Sequence, residues 1–172
     1  LKSVKFFSND TFINNSVFSN CISLEDVIIP GTVKAMGTLG ADENENGIGY
    51  VMRINSSIGY SGDIIFLLGY RFDGTTTGIE FLTVSESPGL GLNIKEDFFK
   101  NDFKNKKTES FKYIKNRDKN TPKNDGDVDA LSGATISTNA VVEAVNAGIC
   151  YAKSLAEKQI GFSEVLKNQE EK

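Results

Sequence analysis

At 172 residues, with 39% hydrophobic and 24% charged content, the chain carries enough apolar material for one domain with a true core. A net charge of −4 gives it no electrostatic footprint for nucleic acid, and its longest apolar run, Ile64 to Leu68, is far too short to cross a bilayer. The absence of histidine excludes Ser/His/Asp triads, His-assisted cysteine nucleophiles and His-ligated zinc.

The start at Leu1 rather than Met is read as a trimmed one, from which a leader or membrane anchor has been removed. Residues 1–30 form an Asn- and Ser-rich N-terminal segment whose apolar spacing from Phe12 to Ile22 permits a helix, closed by Pro30-Gly31. Cys21 in this segment and Cys150 far downstream lack metal or redox spacing; they permit one disulfide, and equally two unpaired small side chains. Thr32 to Leu39 reads as a short strand, ended by a turn from Gly40 to Gly47. That turn contains Asp42-x-Asn44-x-Asn46-Gly47, the opening of a calcium loop, but Arg53 stands where the bidentate Glu is needed. The Asp125-x-Asp127-x-Asp129 series fails as well, with Ala130 at the position of the sharp-turn glycine.

Ile48, Tyr50, Met52 and Ile54 alternate with Gly49, Val51 and Arg53, the pattern of a half-buried strand. Asp63 to Tyr70 is almost continuously apolar and predicts a strand covered on both faces. Phe72-Asp73-Gly74 is a hairpin turn signal, and Gly78 to Val84 is the returning strand. The expected product is an antiparallel meander of three or more strands.

Ser85-Glu86-Ser87-Pro88-Gly89-Leu90-Gly91 then leaves the strand end as a rigid loop. Pro88 fixes one dihedral, while Gly89 and Gly91 would let a flat ligand approach the backbone. The glycines lack the spacing of a dinucleotide fingerprint. Lys95 to Phe103 predicts one amphipathic helix burying its Phe face. Lys100 to Lys123 is rich in lysine and aromatic residues, yet carries no recognised RNA-binding signature, and reads as a solvated basic segment.

A small-residue turn, Ser132-Gly133-Ala134-Thr135, runs into an apolar repeat at helical spacing through Val141, Val145, Ile149 and Ala152. Ser137 or Thr138 is the expected N-cap, with Glu143 as the negative charge near the first turn. The hydroxyl of Thr135 is thus presented just ahead of a helix N-terminus, where unpaired N–H groups favour an anion. On residues alone this is a loop-to-helix junction. The helix continues toward Ile160, and residues 161–172 form a polar tail.

Asp129-Ala-Leu-Ser-Gly-Ala-Thr135 resembles the flavinylation signature of FMN-binding domains in ion-translocating redox complexes. These domains include RnfG, of the Rnf electron transport complex, and NqrC, of the sodium-translocating NADH:quinone reductase. Glu86-Ser87-Pro88-Gly89-Leu90-Gly91 is similar to the Glu-Thr-Pro-Gly-Leu-Gly loop of the RnfG family, with Ser for Thr. Ile58-Gly59-Tyr60-Ser61-Gly62 resembles that family's Gly-Tyr-x-Gly segment. The order of the pieces agrees from about Pro30 to Ile149.

The resemblance implies an α+β domain over residues 31–160, a twisted antiparallel β-sheet with flanking helices. It implies covalent FMN, joined as a phosphoester to Thr135. Ser132, Gly133, Ala134 and Ile136, with Glu86, Ser87, Gly89, Leu90 and Gly91, are the implied flavin contacts, and Asp129 is assigned to recognition by a flavin transferase. No catalytic residue and no metal ligand is expected. The implied function is electron relay in an Rnf-type ferredoxin:NAD oxidoreductase, on the extracytoplasmic side of the cell membrane, with the other membrane subunits as partners. The membrane attachment implied is one N-terminal helix absent from this chain. An NqrC-type component of the quinone reductase, a stand-alone flavoprotein reductase and an unflavinylated binding module are the alternatives. The isolated domain is not expected to turn over NADH.

Overall fold

The computed structural model describes residues 33–41, 47–118 and 120–170, with side chains for 48–118 and 120–156. The expected helix between Phe12 and Ile22, Cys21 and the turn around Asp42 lie outside the described residues.

Four strands form the expected meander: β1 (Val33–Ala41), β2 (Gly47–Ser56), β3 (Ile64–Arg71) and β4 (Thr75–Val84). Each pairs antiparallel with the next, and β5 (Lys106–Lys107) extends the sheet beside Thr75 and Thr76. The β3–β4 turn closes at Asp73-Gly74, where the Asp73 carboxylate accepts the Thr75 N–H at 3.0 Å and Gly74 takes φ +89°. The period of two in β2 holds in space. Tyr50, Met52 and Ile54 face the core while Val51 and Arg53 face out.

The nearly continuous apolar run of β3 is fully covered on one face only. Ile64, Phe66, Leu68 and Tyr70 are buried, whereas Ile65, Leu67 and Gly69 are half-buried on the outer face. The reason is the number of layers: a single long helix lies against this sheet, and it lies on the inner face.

That helix, Thr135–Glu170, crosses β1, β2 and β3. Its tight approach is set at Gly148, where an added Cβ would fall 2.5 Å from Ile54 Cδ1 and 2.8 Å from Leu68 Cδ2. Val141, Val145 and Ile149 interleave with Met52, Ile54, Phe66 and Leu68 to make the core. Cys150 is buried on the same helix.

The single helix expected from Lys95 to Phe103 is instead broken in three. A 3₁₀ turn (Gly91–Lys95) is followed by α1 (Asp97–Lys100) and a second 3₁₀ turn (Asn101–Phe103); the helix Thr135–Glu170 is therefore α2. Glu96 in extended conformation, with ψ 147°, separates the first two pieces. Phe99 and Phe103 stand one helical turn apart and would share a face in any case, but Ile94 would point away from that face on a straight helix. The break at Glu96 lets Ile94 reach the core as well, while Phe98 stays exposed.

Two short parallel strands, β6 (Lys112–Ile114) in the basic segment and β7 (Asp127–Asp129) just after it, are not legible from sequence. They are fastened to α2 by Asn146, whose side chain accepts the Phe111 N–H at 2.7 Å and donates to the Phe111 carbonyl at 2.9 Å. β7 delivers the chain directly to the start of α2.

Candidate functional site

The loop after β4 begins with Ser85, whose N–H donates to the Asp63 carbonyl at 3.1 Å. Its turn is closed by the N–H groups of Leu90 and Leu92, both donating to the Ser87 carbonyl. Gly89 supplies φ +74° at the apex. This geometry turns Glu86 inward, to 8% exposure. One oxygen, Oε1, accepts the Tyr60 N–H at 2.7 Å, and Oε2 accepts the Ser137 hydroxyl at 3.0 Å. A buried carboxylate is tolerated because both oxygens have partners.

The second segment leaves β7 through Ala130, whose N–H donates to the Ile114 carbonyl at 2.9 Å. A turn follows in which the Ala134 N–H donates to the Leu131 carbonyl at 3.0 Å, with Gly133 at φ +73°. A Cβ at Gly133 would lie 2.9 Å from Leu90 Cδ2, so the two segments touch there. α2 begins at Thr135, earlier than the capping residues expected from sequence. Ser137 and Thr138 are inside its first turn. Ser137 is turned to Glu86, while the Thr138 hydroxyl accepts the Leu131 N–H at 3.2 Å and donates to the Ala134 carbonyl at 3.0 Å. Glu143 lies beyond the first turn and accepts from the Asn139 side chain at 2.6 Å.

Between the segments lies an open cleft of about 380 Å³, in the range that holds small cofactors. Of the residues singled out by sequence, Glu86, Ser87, Leu90, Gly91, Gly133, Ala134, Thr135 and Ile136 line it. Ser132 and Gly89 do not; Gly89 acts through its backbone conformation. Sequence reasoning missed Tyr60 and Ser137 as lining residues. The Gly-Tyr-x-Gly resemblance is the signal for Tyr60; Ser137 reads from sequence as a cap. Gly91 has a further reason beside the one expected. It is buried, and a Cβ there would meet Glu86 Oε2 at 2.5 Å and Ser137 Oγ at 2.6 Å, so its small size makes room for their hydrogen bond.

Asp129 does not line the cleft. Its Oδ1 takes Arg117 Nε at 2.6 Å and its Oδ2 takes Lys123 Nζ at 2.7 Å. Burial works against its ionisation, but the hydrogen bonds from Lys123 and Arg117 outweigh that and hold the carboxyl below its ordinary value. Asp127 behaves likewise: its burial is outweighed by the Asn124 N–H and by Arg117.

The cleft suits a flat, partly apolar group carrying an anion. Tyr60, Leu90 and Ile136 are large, mostly exposed side chains gathered around it. Thr135, Ile136 and Ser137 line it, and their N–H groups, at the start of α2, have no intrahelical acceptor. Among its lining residues there is no basic side chain. Thr135 is half-buried within it, whereas the hydroxyls of Ser137 and Thr138 are buried and already bonded.

Residues 59–149 match the family described as FMN-binding domain, a span that contains every lining residue of the cleft. The chain belongs to the FMN-binding domain family. Among curated members, the G component of an ion-translocating oxidoreductase complex from Methanosarcina acetivorans is 37% identical over 116 residues, covering 67% of this chain and 57% of that protein. The G component of the proton-translocating ferredoxin:NAD(+) oxidoreductase complex of Clostridium ljungdahlii is 34% identical over 109 residues, 63% of this chain and 56% of that protein. The corresponding protein of Aliivibrio fischeri strain MJ11 is 31% identical over 149 residues, 84% of this chain and 69% of its own. The chain thus spans a little over half the length of the first two relatives. The fold is shared with a solved structure: the crystal structure of Shewanella oneidensis NqrC aligns with a TM-score of 0.60 at 17% identity, over 88% of this chain and 71% of that one.

Proposed function

We propose that Thr135 carries FMN as a phosphoester and that the domain relays electrons as the RnfG-type component of an ion-translocating ferredoxin:NAD oxidoreductase. One observation carries the attachment site. Thr135 places a hydroxyl in the same cleft as the Glu86–Gly91 loop, half-buried and making no side-chain hydrogen bond among the described residues. The names of the relatives support the assignment to the complex.

FMN, when bound, supplies one- and two-electron chemistry, and the chain supplies retention and orientation. Thr135 holds the phosphate at the start of α2, where the helix dipole favours negative charge by about 0.3–1 kcal/mol at an exposed site. Leu90 and Ile136 offer apolar contact to the ring, and Glu86 fixes the walls. With no cation in the cleft, reversible binding has little to grip the phosphate, and a covalent bond removes the need. The bond balances without redox change. The Thr135 oxygen attacks the flavin-side phosphorus of a flavin dinucleotide, the P–O–P bond breaks, and the nucleoside monophosphate leaves with the proton. A separate flavin transferase provides the catalysis in this reading: Glu86, the one carboxylate among the lining residues, is engaged by Tyr60 and Ser137. In this reading the domain works beside the membrane subunits on the extracytoplasmic side. No helix among the described residues is long and apolar enough to cross a membrane.

Co-expression with a flavin transferase tests the attachment. The mass should rise by one FMN less one water. Thr135→Ala should abolish the gain, while Ser137→Ala and Thr138→Ala should retain it. Peptide mapping that put the flavin on Ser137 or Thr138 would overturn the assignment.

A further inference from the structure

The basic segment between Lys100 and Lys123 is not absorbed by the flavin site, and neither is the acidic residue that opens the modification motif. The structure brings them together. Asp129 is the last residue of β7, and the motif turn starts immediately after it. Each of its carboxylate oxygens is occupied by a cation from the basic segment, Arg117 on one and Lys123 on the other. Lys123 also binds Asp102, whose second oxygen accepts the Asp129 N–H at 2.9 Å. Asp102 is 8% exposed and sits beside Phe103, which is fully buried, so the network is anchored in the core. Arg117 is held in turn by Asp127 at 3.0 Å and by donating to the Pro122 carbonyl at 3.2 Å.

We propose that Arg117 and Lys123 are positioning residues for the modification of Thr135, acting through Asp129. The motif turn is pinned at both ends: at its exit by Thr138 on Leu131 and Ala134, and at its entry by this network. The acid of the motif is thereby a structural anchor whose ligands come from the chain itself, and it is not displayed for the transferase to read. Each oxygen already accepts a charge-assisted bond from within the chain, so the charge that a transferase cation would seek is matched before the two proteins meet. A loop held at one end alone would present the Thr135 oxygen in many orientations, and misplacement of a reacting atom by about 1 Å can cost on the order of a hundredfold in rate. The pairs to the half-exposed Asp129 themselves contribute little to global stability, but Arg117 and Lys123 also hold the buried Asp127 and Asp102. Each variant's rate is therefore read beside its melting temperature, and Asp129→Asn reports the anchor alone.

This inference rests on flavinylation of Thr135, and the experiment keeps the two separable. Purified domain is incubated with flavin transferase and a flavin dinucleotide, and the added mass is followed with time for wild type, Asp129→Asn, Arg117→Met, Lys123→Met and Lys123→Arg. The expected result is a fall in kcat of modification of about tenfold to a hundredfold in Arg117→Met and Lys123→Met, with KM for the domain little changed. Lys123→Arg should restore the rate. In the Asp129→Asn background, adding Arg117→Met or Lys123→Met should cost little more. If Asp129→Asn raises KM while both methionine variants are modified like wild type, the transferase reads the carboxylate itself and the positioning role is refuted. Equal losses of melting temperature and rate across all variants, with no rescue by Lys123→Arg, would reduce the network to general stability and also refute it. Wild-type protein that gained no mass would instead refute the attachment at Thr135.

Discussion

Glu86 and Ser137 lie 51 positions apart and share a 3.0 Å hydrogen bond between buried side chains. Through this bond the loop after β4 and the first turn of α2 become two walls of one cleft. The other oxygen of Glu86 ties in a third segment at Tyr60.

Removing that clasp should loosen the cleft. Glu86→Ala leaves the Tyr60 N–H and the Ser137 hydroxyl without their acceptor, a loss of about 1–3 kcal/mol in denaturant unfolding. Glu86→Gln keeps one carbonyl oxygen for Tyr60 and an N–H that Ser137 can accept, so it should recover most of that loss. Equal destabilisation by Ala and Gln would show that the charge, rather than the geometry, holds the walls.

The two glycines of the loop should respond differently to alanine. At Gly91 the new methyl would press on Glu86 Oε2 and Ser137 Oγ, a clash worth about 1–3 kcal/mol that also disturbs the cleft. At Gly89 nothing lies within 4 Å, and the cost is the left-handed backbone alone, about 1–2 kcal/mol. Flavin absorption of the modified protein should shift in Gly91→Ala and stay as wild type in Gly89→Ala. Identical spectra in both would remove Gly91 from the site.

Acid should weaken the anchor of the motif turn. Asp127 and Asp129 ionise below their ordinary value of 3.8 in the folded protein, so their contribution is fully present above that pH and is lost as pH falls through the depressed values. Asp129 is half-exposed, and solvent screening keeps its share of stability small. Denaturation measured as a function of pH should show a shallower acid limb in Asp129→Asn than in wild type. An unchanged limb would mean the pairs also persist in the unfolded chain.

Free FMN should bind the unmodified domain poorly. No basic side chain is among the cleft's lining residues, and the helix dipole alone is a weak phosphate ligand. Calorimetry with Thr135→Ala should give a dissociation constant no tighter than about 1 μM, equivalent to about −8 kcal/mol. Nanomolar binding would make the covalent bond redundant for retention.

Loaded domain alone should take electrons from a strong chemical reductant and hardly at all from NADH. The chain has no dinucleotide fingerprint, and a relay can draw its specificity from tethering to partner subunits. Stopped-flow mixing with NADH decides the matter: fast, saturable bleaching would replace the relay with a stand-alone reductase.

Much of the site was legible because its pieces are local. The Gly-rich loop and the small-residue turn announce themselves by composition, and a strand such as β2 shows its buried face through alternation. What could not be read was long-range. Ser137 looks like a helix cap until Glu86 is seen beside it, and at Gly91 only the fold shows that a side chain would also press on that pair. β6, inside the basic segment, and β7, just after it, stayed hidden because a strand of three residues has no period to detect, and which of the following acids, Asp127 or Asp129, each cation meets depends on that pairing. β3 misled in the opposite sense: its apolar run reflects a fully buried inner face and a merely half-covered outer one.

Thr135 is the first residue of a helix whose next turns are packed firmly into the core through Val141, Val145 and Gly148. A prosthetic group esterified there takes its coordinates from the core and not from a swinging loop. Its reach toward a donor or an acceptor is then limited to the few rotatable bonds of its own tail. Any larger change in tunnelling distance would then have to come from motion of the whole domain relative to its redox partners.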